Sequence, residues 1–400
     1  MVVAYITSRF SVSFVTNEME AHRLAHWDVL PIASCRRPSN EKLSELQAQW
    51  VERGLFRPTI LTQAFALIKE FITHPIRFTT MILWLTKLFA HSKSEFAKAV
   101  YELSVVSYFA SHCRRNGVEH LHVHFASRSL SLGLMLGILL DRKVSCTVHA
   151  FDIFTRSSGS LTWRLSQCCF ISSISNYNIE FLREHCGDKV ADLCRVVHCG
   201  IDPDKFSIIN RNLKPGRFLI IANLVTKKGH EIILRACHVL DKQKIDFIFN
   251  VVGDGPLRPR IEYLIAVFGL QNKVKLCGAI PNDKLLPLLS EACALVLPST
   301  IDPSCDRDGI PVAMMEAMAC ELPVISTWVS GIPELVCNEV TGLLVHERDS
   351  VGLANAMKRL MNDPAKVSHM GKAGREYVLK HFNINSTSAQ LRELIVQAKA

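Results

Sequence analysis

Short, mostly apolar runs alternate with helical patterns along the second half of this 400-residue chain. Residues 218–222, 247–252, 273–276, 294–297, 323–326 and 342–345 read as strands, and helices are expected over 231–240, 257–268, 283–291 and 311–319. A strand that is apolar on both faces must be covered on both, and strands separated by helices run parallel. The expected result is an α/β, doubly wound domain over residues 215–385. The first half has the same grammar, with strands at 2–8, 28–34, 121–125, 144–149, 170–175 and 195–198. A helical insertion over about residues 40–116 interrupts it. This makes a first Rossmann-like domain of residues 1–205, joined through a proline-bearing linker at 200–216. Residues 386–400 form an amphipathic helix that the pattern allots to either domain.

Composition excludes several classes. With 48% hydrophobic residues and no low-complexity tract, the chain is not disordered. The most apolar stretch, 78–86, is closed by Arg77 and Lys87, about half the length a bilayer span needs. The opening Met-Val-Val-Ala-Tyr-Ile-Thr-Ser-Arg reads as a strand rather than a signal. The fourteen cysteines include no Cys-x-x-Cys pair, which favours a reducing, cytoplasmic setting.

The turns after the strands hold the chemistry, because ligands of such sheets bind beyond the strand C-termini. Asn223-Leu224-Val225-Thr226-Lys227-Lys228-Gly229 puts two lysines before a helix. That suits a phosphate, and equally a solvated basic turn. Val252-Gly253-Asp254-Gly255-Pro256 lets a ligand approach the backbone, but Arg258 stands where a dinucleotide fingerprint needs its third glycine. The richest segment runs from Pro298 through Asp308-Gly309-Ile310-Pro311-Val312-Ala313 to Glu316. A helix N-terminus beside two carboxylates eight residues apart suits a diphosphate and sugar hydroxyls. The plainer alternative makes Asp308 a helix cap and Glu316 a buried acid. Asp306-Arg307-Asp308 also fits an Asp-x-Asp metal pattern, yet no further oxygen cluster accompanies it, so no metal is expected. In the first half, Leu121-His122-Val123-His124-Phe125 and Cys146-Thr147-Val148-His149 each end a strand with a histidine, and two such residues on neighbouring strands favour one facing a ligand over both being core residues. Hydrolase motifs are absent.

Together these segments resemble the retaining glycosyltransferases of family 4, with the GT-B fold: two facing Rossmann-like domains and a deep interdomain cleft. The likeness covers nearly the whole chain and is most specific over residues 308–326, which match the family's E-x7-E segment. The Gly-Ile-Pro-Val wording, Arg9-Phe10-Ser11-Val12-Ser13-Phe14 and the helical insertion resemble the exopolysaccharide-assembly branch. The resemblance implies that Glu316 holds the ribose of a nucleoside-diphosphate sugar. Lys228, helped by backbone N–H groups near Pro311–Ala313, would bind its diphosphate; Gly309, Ile310, Pro311, Val312 and Ala313 would line that site, with Lys227 and Asn223 on the turn of Lys228. Asp308 would meet the donor sugar, His149 would stand on the opposite wall near it, and Gly253 and Gly278 would line the base pocket. Transfer would proceed with retention, without cofactor or obligatory metal, to a saccharide or lipid-linked acceptor. Two departures are visible: Asn223 replaces a usual arginine, and Asp308 replaces glutamate. Losing one charged donor to the leaving diphosphate would cost roughly 2–4 kcal/mol of transition-state stabilisation. A catalytically silent scaffold and a nucleotide-sugar epimerase are the alternatives.

The net charge of +9 falls mostly in the first half, and residues 51–100 hold seven basic and three acidic side chains. No nucleic-acid recognition motif accompanies them. The helix carrying Phe78, Met81, Ile82, Leu85, Leu88 and Phe89, flanked by Arg77 and Lys87, is the expected contact with an anionic membrane surface. The expected location is therefore peripheral, on the inner face of the membrane.

Overall fold

The computed structural model describes residues 1–37, 43–155, 158–206, 211–280 and 285–399. It divides into two compact units, one of Met1–Gly200 with Ile384–Ala400 and one of Ile201–Asn383. Part of the expected linker (207–210) and the first residues of the expected 283–291 helix (283 and 284) lie outside the described residues.

The first unit is built on strands β1 (Val2–Thr7), β2 (Asp28–Ala33), β3 (His120–His124), β4 (Val144–Val148), β5 (Ile171–Ser173) and β6 (Cys194–Val196). They lie in the order β2-β1-β3-β4-β5-β6, every pairing parallel. Strands β3 and β4 are buried along their whole length, as covered faces on both sides require. Four longer helices, Glu45–Arg53, Ile60–Thr73, Pro75–His91 and Lys93–Arg115, fill the connection from β2 to β3. Local chemistry sets their starts. Ser44 and Gln47 form a capping box, Thr59 and Ser92 cap the next chain entries, and Pro75 occupies a first-turn position where no N–H is needed.

The terminal helix Ile384–Lys399 belongs to this first unit. Its Leu391 and Ile395 complete a small core with Val15, Met19, Tyr5 and Trp50.

One expectation is corrected. In the Pro75–His91 helix the buried stripe is Met81, Trp84, Leu85 and Leu88, which face the core, while Ile82 and Phe89 point outward. Arg77 is paired with the Asp141 carboxylate at 2.6 Å. The helix is apolar over most of its circumference, so spacing alone did not select its inner face. Trp84 settles it, packing on Trp163 and donating its indole N–H to Gln167 at 2.6 Å.

The second unit contains β7 (Arg217–Ile221), β8 (Ile248–Val252), β9 (Val274–Gly278), β10 (Ala294–Val296), β11 (Val324–Thr327) and β12 (Gly342–Val345). Their order is β12-β11-β10-β7-β8-β9, again all parallel. The winding reverses between β7 and β10. That switch point leaves the turns after these two strands free to diverge and frame a ligand. They are the turns that hold Lys227, Lys228 and Asp308.

Candidate functional site

In the second unit, β7 ends at Ile221 and the chain crosses to the helix His230–Lys242 through a single 3-10 turn, Thr226–Lys228. Gly229 closes that turn with φ +69°, and a Cβ there would stand 2.1 Å from the carbonyl oxygen of Pro298. Only glycine lets the turn press so closely on the segment leaving β10. The two segments are then stitched together, since the Thr300 amide donates to the Lys227 carbonyl at 2.8 Å.

This packing brings four charges together. The Lys228 ammonium donates to Asp308 Oδ1 at 2.7 Å, and Lys227 lies 2.9 Å from Asp306 Oδ2 and 3.9 Å from Asp308. The buried Ser299 hydroxyl donates to the other Asp308 oxygen at 2.7 Å. Asp302 organises the loop, accepting from the Ser304 amide and hydroxyl and from the Asp306 amide at 2.6–3.0 Å. Each lysine therefore has a carboxylate partner here. Ser299 carried no signal in the sequence beyond its position after a buried strand.

The helix Val312–Ala319 follows, with Pro311 at its N-cap and no side chain capping its first amides. Gly309 and Ile310 are buried just before it, and Val312 and Ala313 are half-buried in its first turn. Its N-terminus thus offers unclaimed N–H groups and the positive end of the helix dipole. Glu316 is half-buried in the second turn, and among the described residues no hydrogen bond or ion pair reaches its carboxylate. Burial without such a partner pushes its pKa up to about 7. A carboxylate held in this condition is an acceptor awaiting a donor. No contact joins it to Asp308 or Lys228.

Gly253 has φ +140°, and a Cβ there would lie 1.9 Å from the Ala222 carbonyl oxygen; its amide donates to the Gly278 carbonyl at 2.8 Å. The ends of β7, β8 and β9 are locked together by this contact. Asn223 is exposed on the β7 turn.

The first unit holds His149 just after β4, almost fully buried between the rings of Phe14 and Phe125. Its Nε2 is 3.2 Å from His124 Nδ1, and His124 Nε2 is 3.1 Å from Glu18 Oε1. With Glu18 ionised, His124 donates through Nε2; a neutral His124 then accepts from His149 Nε2–H. Burial would raise the Glu18 carboxyl, but the neighbouring His124 and His22 hold it below its ordinary range. Burial, then His124, keeps His149 well below an ordinary histidine. Its backbone is fixed as well: the amide donates to Asp152 at 3.1 Å, and the Asn178 side chain donates to its carbonyl. Glu18 escaped the sequence reading because nothing in the Ser13–Leu24 helix marks it as the partner of a histidine 106 residues away.

Among the described residues, one group has metal-ligand geometry: Glu18, His122 and His124, whose ligand atoms lie within 4.8 Å of one another. Both nitrogens of His122 are already engaged, by Ser145 at 2.8 Å and Thr147 at 2.9 Å. The group fits a buried hydrogen-bond network better than a metal centre.

Residues 202–377 match the family described as Glycosyl transferases group 1. The chain is 38% identical over 207 residues to the amylovoran biosynthesis glycosyltransferase AmsK of Erwinia amylovora, covering 51% of each chain. It is 34% identical over 203 residues to the putative colanic acid biosynthesis glycosyltransferase WcaL of Escherichia coli strain K12, covering 50% of each. The chain thus spans about half the length of the curated relatives it matches. Among solved structures, HepE of Anabaena in complex with UDP is similar with a TM-score of 0.73 at 14% identity, over 99% of this chain and 100% of that one. Sucrose-phosphate synthase from Thermosynechococcus elongatus gives 0.72 at 21% identity, over 99% and 98%. These structural likenesses establish the fold.

Proposed function

We propose that this chain, whose residues 202–377 match the Glycosyl transferases group 1 family and whose two parallel sheets are those of GT-B enzymes, transfers a sugar in exopolysaccharide synthesis. The donor is a nucleoside-diphosphate sugar, bound by the second unit. The acceptor is a saccharide carried on a lipid, the enzyme works at the inner membrane face, and configuration is retained as in family 4. The relatives named for amylovoran and colanic acid synthesis support the pathway class, and the solved relative with bound UDP supports the donor class.

The observation that carries this reading is the cluster at the β7–β10 switch point. Lys227 and Lys228 are paired with Asp306 and Asp308, which precede the uncapped N-terminus of the Val312–Ala319 helix by six and four residues. A diphosphate entering there replaces Asp308 as the partner of Lys228 and takes the free amides of the Val312–Ala319 helix. Glu316 then accepts from the ribose hydroxyls and gains the donors that it lacks. As the bond between the anomeric carbon and the diphosphate oxygen breaks, its electron pair passes to the diphosphate, while an acceptor hydroxyl oxygen bonds to the anomeric carbon and gives its proton to the leaving diphosphate. Lys228 and the helix dipole are already aimed at that developing charge. Once the diphosphate displaces Asp308 from Lys228, that ammonium and the positive end of the helix dipole supply the charge beside the leaving group. Asp308, released from Lys228, becomes available to the sugar.

The test separates the two roles of Asp308. In Asp308→Asn, Lys228 no longer has a charged competitor for the diphosphate. UDP or GDP should bind about fivefold more tightly, on the order of 1 kcal/mol for a partly buried ion pair, while sugar transfer falls at least tenfold. Weaker nucleotide binding in this variant would show that Asp308 supports the site rather than guarding it.

A further inference from the structure

The helix Ile60–Thr73 is amphipathic in the reverse sense. Leu61, Phe65, Ile68 and Ile72 recur at i, i+4, i+7 and i+11, which places them on one stripe. That stripe faces solvent, with the four residues 85%, 71%, 59% and 69% exposed. Ile60, Phe71 and Ile76 extend it. Continuous apolar surface of this extent marks an interaction site. Beside the stripe, a groove of about 370 Å³ opens between this helix and Lys93–Arg115, lined among others by Phe65, Lys69, Thr73, His112 and Arg115. Lys69 and Arg115 are exposed and form no ion pair among the described residues, whereas Arg114 is committed to the buried Glu70 at 2.6–2.7 Å. Residues 57–93 contain five basic side chains and one acidic one, and the acid is that same Glu70.

We propose that the exposed face of the Ile60–Thr73 helix docks in the plane of an anionic lipid bilayer, with a lipid phosphate held in the adjoining groove by Lys69 and Arg115. An apolar stripe bordered by unpaired cations complements a surface with acyl chains beneath phosphates. A second copy of the chain complements it poorly, because a two-fold contact sets equivalent patches, and hence like charges, against one another. Among the described residues no helix is long and apolar enough to cross a membrane, so this contact lies on the bilayer rather than through it. The inference shares the membrane location of the proposed function but stands on this surface alone.

The full chain is sedimented with mixed phosphatidylglycerol–phosphatidylcholine vesicles and with phosphatidylcholine alone. The wild type should bind the mixed vesicles at least about tenfold more tightly. The combined Phe65→Ser, Ile68→Ser, Ile72→Ser variant should keep its thermal midpoint, since these side chains are exposed, and lose about tenfold or more in binding. Lys69→Glu with Arg115→Glu should abolish the preference for the anionic lipid, while Arg77→Glu with Lys87→Glu should change binding less than twofold. Undiminished vesicle binding by the triple-serine variant overturns the proposal. So does a wild type that binds no vesicles but is a dimer made monomeric by those substitutions. None of these readouts involves sugar transfer, so failure here leaves the donor-site reading untouched.

Discussion

Glu316→Gln should make the protein more stable and less active, with the stability gain confined to neutral and alkaline pH. Burial raises the Glu316 carboxyl from 4.5 to about 7. The folded state therefore holds this proton more tightly than the unfolded chain. The stabilising contribution is complete below about pH 4.5 and declines as pH rises to about 7. Above that, an unpartnered carboxylate is carried at full cost. The shift corresponds to at most roughly 3 kcal/mol, and partial exposure of the side chain reduces it to roughly 1–3 kcal/mol. Glutamine resembles the protonated acid in shape and polarity. Thermal midpoints of wild type and variant should thus coincide at pH 5, and the variant should melt several degrees higher at pH 8. Activity should move the opposite way. Replacing a charged acceptor of ribose hydroxyls by a neutral amide forfeits roughly 1.5–3 kcal/mol, or on the order of 10- to 150-fold in kcat/KM. Equal midpoints at pH 8 together with unchanged transfer would reduce Glu316 to an ordinary surface acid.

Lys228→Ala should lower transfer by roughly 100- to 1,000-fold, the scale for removing one preorganised charge stabiliser from a leaving group. It should also weaken nucleoside-diphosphate binding, since the ammonium meets the diphosphate in the bound state as well. The fold should survive. Lys228 is near the surface, and the Asp308 that it leaves behind keeps its hydrogen bond from Ser299. A variant that melts normally, binds UDP or GDP as wild type does and transfers sugar within a factor of three of wild type would move the diphosphate elsewhere.

Much of this architecture could be read from residue types. Every strand of both sheets was expected to within a few residues, most directly where a parallel strand covered on both faces carries an unbroken apolar run, as in Phe218-Leu219-Ile220-Ile221. The turns bearing Lys228, Gly253 and Asp308 could be located for the same reason, since each follows such a run. The pairing of Lys228 with Asp308 was not legible. The two are 80 residues apart, and their contact depends on the reversal of winding between β7 and β10 and on the close approach at Gly229. Likewise, the raised pKa of Glu316 reflects how far its neighbours cover it, which spacing does not encode. The helical insertion shows a different limit. Periodicity reveals that a helix has an apolar side but not what that side meets. It drew attention to Pro75–His91, whose Met81, Leu85 and Leu88 lie in the core, and passed over Leu61, Phe65, Ile68 and Ile72, whose equally regular stripe faces solvent.

His149 and Glu18 illustrate the same point within the first unit. A histidine at the end of β4 could be singled out from its position. Its ring orientation is set by His124, and His124 in turn by Glu18 on the Ser13–Leu24 helix. That chain exists only once β1, β3 and β4 lie side by side.

The central claim is that the second unit holds a nucleoside diphosphate between Lys228, the N-terminus of the Val312–Ala319 helix and Glu316. Calorimetric titration of UDP, GDP and ADP into the wild type and into Lys228→Ala tests it most directly. One of the three nucleotides should bind the wild type with heat, and the same nucleotide should bind Lys228→Ala at least about tenfold more weakly. Absence of binding by all three, or equal affinity in the two proteins, would contradict it.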